Sequence, residues 1–163
     1  MNLTSIVNKL YFQPRRRDLE RYINEGEAIQ REILQYLVKR GKDTEYGRNH
    51  LFSTIKSYED FAQNIPVNTY EELKDDIDRM RHGEKDILWP GQVKWYAKSS
   101  GTTNDKSKFI PITHEGLQTL HYQGGKDVVA YYLSNNPDSR LFSGKGLILG
   151  GSHSPNYNLP NSL

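Results

Sequence analysis

Val93-Lys94-Trp95-Tyr96-Ala97-Lys98-Ser99-Ser100-Gly101-Thr102-Thr103-Asn104-Asp105-Lys106-Ser107-Lys108-Phe109-Ile110-Pro111-Ile112 is the stretch whose reading decides the fold. Its two ends, residues 93–97 and 109–112, have the aromatic and β-branched content of short strands, and its middle has the Gly, Ser and Thr content of a loop. Gly101 lets the backbone turn and approach a ligand closely, while Ser99, Ser100, Thr102 and Thr103 set hydroxyls beside consecutive backbone N–H donors. Lys94, Lys98, Lys106 and Lys108 are opposed within the segment only by Asp105, a local field suited to a multiply charged anion. The loop therefore reads as a polyphosphate cradle, with a solvated basic surface turn as the other reading that composition allows. It is neither a Walker A loop nor a dinucleotide fingerprint, because both glycine spacings are absent.

Upstream, the chain reads as helices. After Pro14 and the Arg15-Arg16-Arg17 cluster, Leu19, Tyr22, Ile23, Ile29, Ile33, Leu37 and Val38 recur at helical spacing up to Gly41. The pattern predicts one long amphipathic helix, weakened at Gly26, with a shorter helix over 3–12 before it. Ser57-Tyr58-Glu59-Asp60 and Thr69-Tyr70-Glu71-Glu72 each place an acid three positions after a hydroxyl, the capping-box signature of a helix start. The second of these helices directs Leu73, Ile77 and Met80 inward and ends near His82-Gly83. The three arginines read as a solvated first helical turn, with a phosphate or acidic-partner site as the functional alternative.

Downstream, Trp89-Pro90-Gly91 predicts the turn that precedes the first strand. Thr113 caps a helix over 114–133, in which Gly124-Gly125 marks a kink or close-packing point. Leu147-Ile148-Leu149, bounded by glycines, reads as a buried strand of a parallel or mixed sheet. The last twelve residues hold no further element. So short a sheet would leave unpaired edges, so the chain is expected to stop partway through a larger domain, the alternative being a frayed tail.

Composition bounds the function. The chain has 163 residues, 35% hydrophobic and 26% charged, with a mean hydropathy of −0.81. Its 11 Tyr, 5 Phe and 2 Trp supply enough buriable surface to argue against disorder. The net charge of +2 is too balanced to make nucleic acid the main partner. It is distributed as +3 over residues 1–50, −4 over 51–90 and +3 over 91–163. The longest apolar run, residues 128–133, is far short of the roughly 20 residues of a membrane helix, so no membrane span is expected. Zero cysteines exclude disulfides, thiolate metal sites and a cysteine nucleophile. Met1-Asn2-Leu3 lacks a signal-peptide pattern, which leaves a cytoplasmic address as the default expectation.

Ser99-Ser100-Gly101-Thr102-Thr103 followed by Lys106, Lys108 and Pro111 resembles the phosphate loop of adenylate-forming enzymes. More narrowly, it resembles the Gretchen Hagen family of acyl acid amido synthetases, also called auxin-responsive-promoter proteins. Tyr46-Gly47-Arg48, Ser57-Tyr58-Glu59-Asp60-Phe61, Pro66-Val67, Leu88-Trp89-Pro90-Gly91 and Gly150-Gly151-Ser152 extend the likeness across most of the chain from about residue 44. Asn104-Asp105 departs from the family's usual residue-then-glycine pair and sets a carboxylate beside the loop.

The resemblance implies a ligase that uses ATP and Mg²⁺ to convert a carboxylic acid to an acyl adenylate, which an amino acid's amine then attacks. It implies that Ser99, Ser100, Gly101, Thr102, Thr103, Lys106 and Lys108 bind the nucleotide's phosphates, with Lys108 catalytic. The implied fold is α/β: a helical amino-terminal region (1–86), then the strand-loop-strand, helix and strand of an incomplete adenylate-forming domain (87–163). All of residues 1–163 are then the amino-terminal part of one larger domain, inactive without the remainder of the enzyme. The competing expectations are a non-catalytic α/β module that binds an anion or a partner, and an acyl-adenylate enzyme with a thiol acceptor.

Other groupings carry less. His50, His82, His114, His121 and His153 show no metal-ligand spacing, and no protein metal site is expected. Gly150-Gly151-Ser152-His153-Ser154 does not fit a nucleophile elbow and reads as a crevice-lining strand end or an ordinary loop. Trp95 and Tyr96 read as core, and Asp75, Asp76 and Asp78 as a solvated helix face.

Overall fold

The computed structural model describes residues 2–99 and 107–147. These form two compact units, one from residues 2–27 and 115–147, the other from 28–99 and 107–114. The protein is mostly helical, with a two-stranded antiparallel sheet. Among the described residues no helix is long and apolar enough to cross a membrane.

The first unit opens with Asn2, whose side chain accepts from the Ser5 N–H at 2.8 Å and caps α1 (Leu3–Val7). The expected stop before Pro14 does not occur. The helical path instead widens into a π-turn over Asn8–Phe12 and continues as α2 (Gln13–Asn24). Within it the Gln13 N–H reaches back to the Asn8 carbonyl. Proline lacks an N–H and its ring crowds the carbonyl four residues back, and a wider turn just before Pro14 relieves both conflicts. A second π-turn, Leu117–Tyr122, connects α7 (His114–Gly116) to α8 (Gln123–Asn135).

Gly124 and Gly125 lie inside α8, where an added Cβ would meet nothing within 4 Å. They are not a close-packing point, and the irregularity of this helix falls before them. Phe12 and Leu19 pack with Ala130 and Leu133, joined by Val7 and Val129. The Phe142 ring lies parallel to Phe12 at 5.9 Å, and the Phe142 N–H donates to the buried Thr4 hydroxyl at 2.9 Å.

The arginine cluster is solvated as expected at Arg16 and Arg17, while half-buried Arg15 is drawn into packing. Arg15 forms a two-pronged pair with Asp127, Nε to Oδ1 at 2.7 Å and a terminal nitrogen to Oδ2 at 3.0 Å. Arg16 donates to Ser134 at 2.9 Å. Both side chains fasten α2 to α8, and a planar guanidinium matched to a carboxylate is the geometry that makes such a pair directional.

In the second unit, the single long helix expected through Gly26 is broken. Glu25 leaves helical geometry at φ −128° and ψ 28°, and α3 (Gly26–Gly41) starts anew. The periodicity continues across the break, but its two halves serve different cores: Leu19 is buried in the first unit, Ile29 and Val38 in the second. Thr44 is 1% exposed; its hydroxyl donates to the Gly41 carbonyl at 2.7 Å and accepts from the Gly47 N–H at 2.9 Å, opening α4 (Glu45–Asn49). A 3₁₀ turn, Phe52–Thr54, follows.

Both capping signatures mark real helix starts. At α5 (Tyr58–Asn64), the Ser57 hydroxyl accepts from the Asp60 N–H while Asp60 accepts from the Ser57 N–H, each at 3.1 Å. At α6 (Tyr70–Arg81), Glu72 takes both the Thr69 N–H at 2.6 Å and its hydroxyl proton at 2.8 Å. As expected, Ile77 and Met80 are buried and the helix ends at His82-Gly83, with Gly83 at φ +94°.

Residues 86–91 close into a bend in which the Gly91 N–H donates to the Asp86 carboxylate and the Asp86 N–H to the Gly91 carbonyl. The carbonyls of Asp86 and Ile87 receive the N–H groups of Glu45 and Tyr46, which otherwise lack helical partners at the start of α4. Ile87 is thereby seated with Met80 and Val93 in a core that Leu88 and Tyr96 adjoin. Strand β1 (Trp95–Lys98) then pairs with β2 (Phe109–Ile112), Trp95 opposite Ile112 and Lys98 opposite Phe109. Leu147 is exposed and outside any strand, and the rest of the strand expected at 147–149 lies outside the described residues.

Two consequences are measurable. A Cβ on Gly47 would fall 2.1 Å from the Gly41 carbonyl oxygen, so Gly47→Ala should lower the stability seen in urea unfolding by about 3 kcal/mol, as in severe overpacking. The Arg15 guanidinium holds the Asp127 carboxyl below its ordinary value against the opposing effect of burial. The pair's contribution is therefore complete above the unfolded carboxyl pKa of about 3.9 and is lost as pH falls through the lower folded value. Urea titrations from pH 5 to pH 2 should show a shallower acid loss of stability in Asp127→Asn than in the wild type.

Candidate functional site

The hairpin's antiparallel register delivers two of the expected site residues to one point. Beyond the paired strands, the Ser99 N–H donates to the Lys108 carbonyl at 2.9 Å, and the Lys108 N–H donates to the Ser99 hydroxyl oxygen at 3.0 Å. The second bond uses a lone pair of the hydroxyl and leaves its proton for another acceptor. The clasp fixes the two ends of the eight-residue connection, 100–107, that carries the rest of the motif. Ser100, Gly101, Thr102, Thr103 and Lys106 lie outside the described residues.

The Lys108 ammonium stands 5.5 Å from the centre of the Tyr70 ring, and no carboxylate among the described residues forms an ion pair with it. An aromatic face attracts a cation without neutralising it, which keeps the full charge available to an incoming anion. The same tyrosine's hydroxyl accepts the Phe109 N–H at 3.0 Å. Arg81 lies over the Phe109 ring at 3.6 Å and is itself held by Asp78 at 2.8 Å. Helix α6 thus grips the return strand through Tyr70 near its start and Arg81 at its end.

Around this point the other aromatics divide. Tyr96 packs on the Met80, Ile87 and Val93 core, and burial pushes its phenol pKa up. Trp95 is 47% exposed, with His114 6.2 Å from its ring, so the expectation that both strand aromatics are core holds for Tyr96 alone. Asp76 and Asp78 pair with Arg79 and Arg81. Among the described residues no cluster of His, Asp and Glu could hold a metal ion. Sequence reasoning saw Tyr70 only as the first residue of a capped helix. Nothing in the spacing of 39 residues to Phe109 announces their hydrogen bond.

Fold and strand pairing together define an α/β segment in which helices support two antiparallel strands. Residues 15–158 match the GH3 family N-terminal domain, and the chain belongs to the GH3 family. Indole-3-acetic acid-amido synthetase GH3.5 of Arabidopsis thaliana is 31% identical over 132 residues, which are 79% of this chain and 21% of that protein. Indole-3-acetic acid-amido synthetase GH3.15 of the same plant is 34% identical over 101 residues, 61% of this chain and 17% of that one. A solved structure of the GH3.15 acyl acid amido synthetase in complex with 2,4-DB is similar with a TM-score of 0.59 at 29% identity, covering 66% of this chain and 19% of that one. The chain spans about a fifth of the length of the curated relatives it matches.

The clasp is open to a direct check. Ser99→Ala removes the acceptor of the Lys108 N–H, and a lost hydrogen bond of about 1 kcal/mol corresponds to a roughly fivefold faster exchange of that amide. Hydrogen exchange resolved at Lys108 should show this acceleration while amides on α3 keep their rates.

Proposed function

We propose that this chain contributes the triphosphate-binding side of an ATP-dependent ligase that activates a carboxylic acid as an acyl adenylate and joins it to an amino acid. The observation that carries the reading is the Ser99–Lys108 clasp, which sets a hydroxyl and an ammonium at the two ends of a Gly/Ser/Thr-rich connection. Family membership supports the reaction class, and the relatives' names, acid-amido synthetases, favour an amine over a thiol as the acceptor. The domain is read as part of one larger adenylate-forming domain, working in the cytoplasm, where ATP is supplied.

In this reading Ser99, Ser100, Gly101, Thr102, Thr103 and Lys106 hold the β- and γ-phosphates of ATP. Attack of a carboxylate oxygen on the α-phosphorus forms the acyl–phosphate bond and breaks the bond to the β-phosphate oxygen. Negative charge then builds on the departing pyrophosphate. Donors already fixed in place stabilise that charge more in the transition state than in the ground state, which is the condition for acceleration. Lys108 fits this task because its ammonium carries no carboxylate partner among the described residues and its backbone is locked to Ser99. Mg²⁺ would accompany the nucleotide's phosphates and offset part of their charge, and among the described residues no group of His, Asp and Glu could hold it. Turnover is expected to need the adenine-binding and acceptor-binding parts of the complete enzyme.

The test is ATP–pyrophosphate exchange by the complete protein across a panel of carboxylic acids, wild type against Lys108→Ala. Loss of one transition-state donor predicts a fall of about 10²- to 10³-fold with the accepted acid. Exchange at the wild-type rate in Lys108→Ala would remove Lys108 from this role. Absence of exchange with every acid in the wild type would favour a non-catalytic anion-binding module.

A further inference from the structure

We infer that Tyr70 is a positioning residue for Lys108, acting from α6 on the return arm of the hairpin; the inference rests on the role proposed above for Lys108. Two independent contacts converge on this one side chain. Its hydroxyl accepts the Phe109 N–H at 3.0 Å, and its ring face lies 5.5 Å from the Lys108 ammonium. One side chain thus fixes the backbone just after Lys108 and biases the far end of the Lys108 side chain.

The ladder geometry explains why the hydroxyl falls there. Ser99 and Lys108 exchange hydrogen bonds, so in antiparallel alternation the next pair, Lys98 and Phe109, is non-hydrogen-bonded. The Phe109 N–H consequently points away from β1, toward the outer edge of β2. An edge amide needs a partner, and Tyr70 supplies it from a neighbouring helix. Without that bond the Phe109 backbone would lose its hydrogen bond to α6, leaving the clasp on the other side and the Arg81 stacking on its ring.

The ring does separate work. A lysine side chain has four rotatable carbons and samples many rotamers when solvated. Resting the ammonium over an aromatic face restricts those rotamers, and no carboxylate among the described residues takes its N–H donors. Preorganisation of this kind matters most for a group whose value lies in being fixed before charge develops. Arg81, stacked on Phe109 at 3.6 Å and paired to Asp78, steadies the same arm on its ring side but does not reach Lys108 in this way.

The two functions of Tyr70 are separable by substitution. Tyr70→Phe keeps the ring and deletes the hydroxyl, whereas Tyr70→Leu deletes both. In ATP–pyrophosphate exchange by the complete protein, Tyr70→Phe should lose about fivefold, one hydrogen bond's worth, and Tyr70→Leu about 20-fold once the cation–π contact is also removed. The decisive readout is the combination with Lys108→Ala, measured at high protein concentration. If Tyr70 acts through Lys108, the Tyr70→Leu, Lys108→Ala pair exchanges no more slowly than Lys108→Ala alone. A residue that merely stabilises the fold would impose its 20-fold loss again.

Additive losses, or an unaffected rate in Tyr70→Phe and Tyr70→Leu beside an impaired Lys108→Ala, overturn the inference and leave the proposed reaction standing. Wild-type exchange in Lys108→Ala removes the proposed role of Lys108 and this inference with it. Should Tyr70→Leu fail to fold by circular dichroism, Tyr70→Phe with its own Lys108→Ala combination decides by the same criterion.

Discussion

The mutual hydrogen bonding of Ser99 and Lys108 is the constraint on which the functional geometry depends. Antiparallel pairing alone brings two strands side by side; this pair of bonds extends the contact one residue beyond the strands, to Ser99 and Lys108. Because the second bond is accepted by a side-chain oxygen, serine at that position is part of the backbone ladder as well as a prospective ligand group. A hairpin of two four-residue strands is marginal by itself, and its stability is borrowed from α6 and from the core of Met80, Ile87 and Val93.

That dependence gives the upstream helices a purpose beyond filling volume. The bend at residues 86–91 returns the chain from α6 and, through the carbonyls of Asp86 and Ile87, seats the start of α4. Glu45 then shares Arg79 with Asp76 and Glu84, so α4, α6 and the turn after α6 meet at one guanidinium. Thr44 and Gly47 settle how closely α3 and α4 approach, and Tyr70 and Arg81 set where the return strand lies on α6. The Tyr46-Gly47-Arg48 run, quoted above only for its likeness to a family, thus has a physical reason at its centre: no side chain fits at Gly47.

Local chemistry was legible in the sequence and long-range pairing was not. Ser57 with Asp60 and Thr69 with Glu72 announced two helix starts because a cap operates within three residues. The two strand readings held because β-branched and aromatic residues favour extended pairing. What escaped was whatever depends on partners distant in sequence. Arg15 meets Asp127 and Tyr70 meets Phe109, and neither pair has a periodicity to betray it. The unbroken helix expected through Gly26 failed for a related reason: amphipathic spacing does not tell that Leu19 is buried in one unit and Ile29 and Val38 in the other, while Tyr22, Ile23, Ile33 and Leu37 stay exposed. The π-turn before Pro14 shows a helix yielding in radius where the sequence rule expected it to end.

The central claim is that the ends of this hairpin receive the phosphates of a nucleotide at Lys108, and chemical footprinting of lysines addresses it most directly. Acetylation rates of individual lysines in the complete protein, followed by mass spectrometry with and without ATP or pyrophosphate, separate Lys108 from the solvated lysines on the helices. The account predicts that either ligand slows modification of Lys108 several-fold while the exposed Lys39 and Lys126 react unchanged. Equal rates at Lys108 with and without saturating ligand would contradict it.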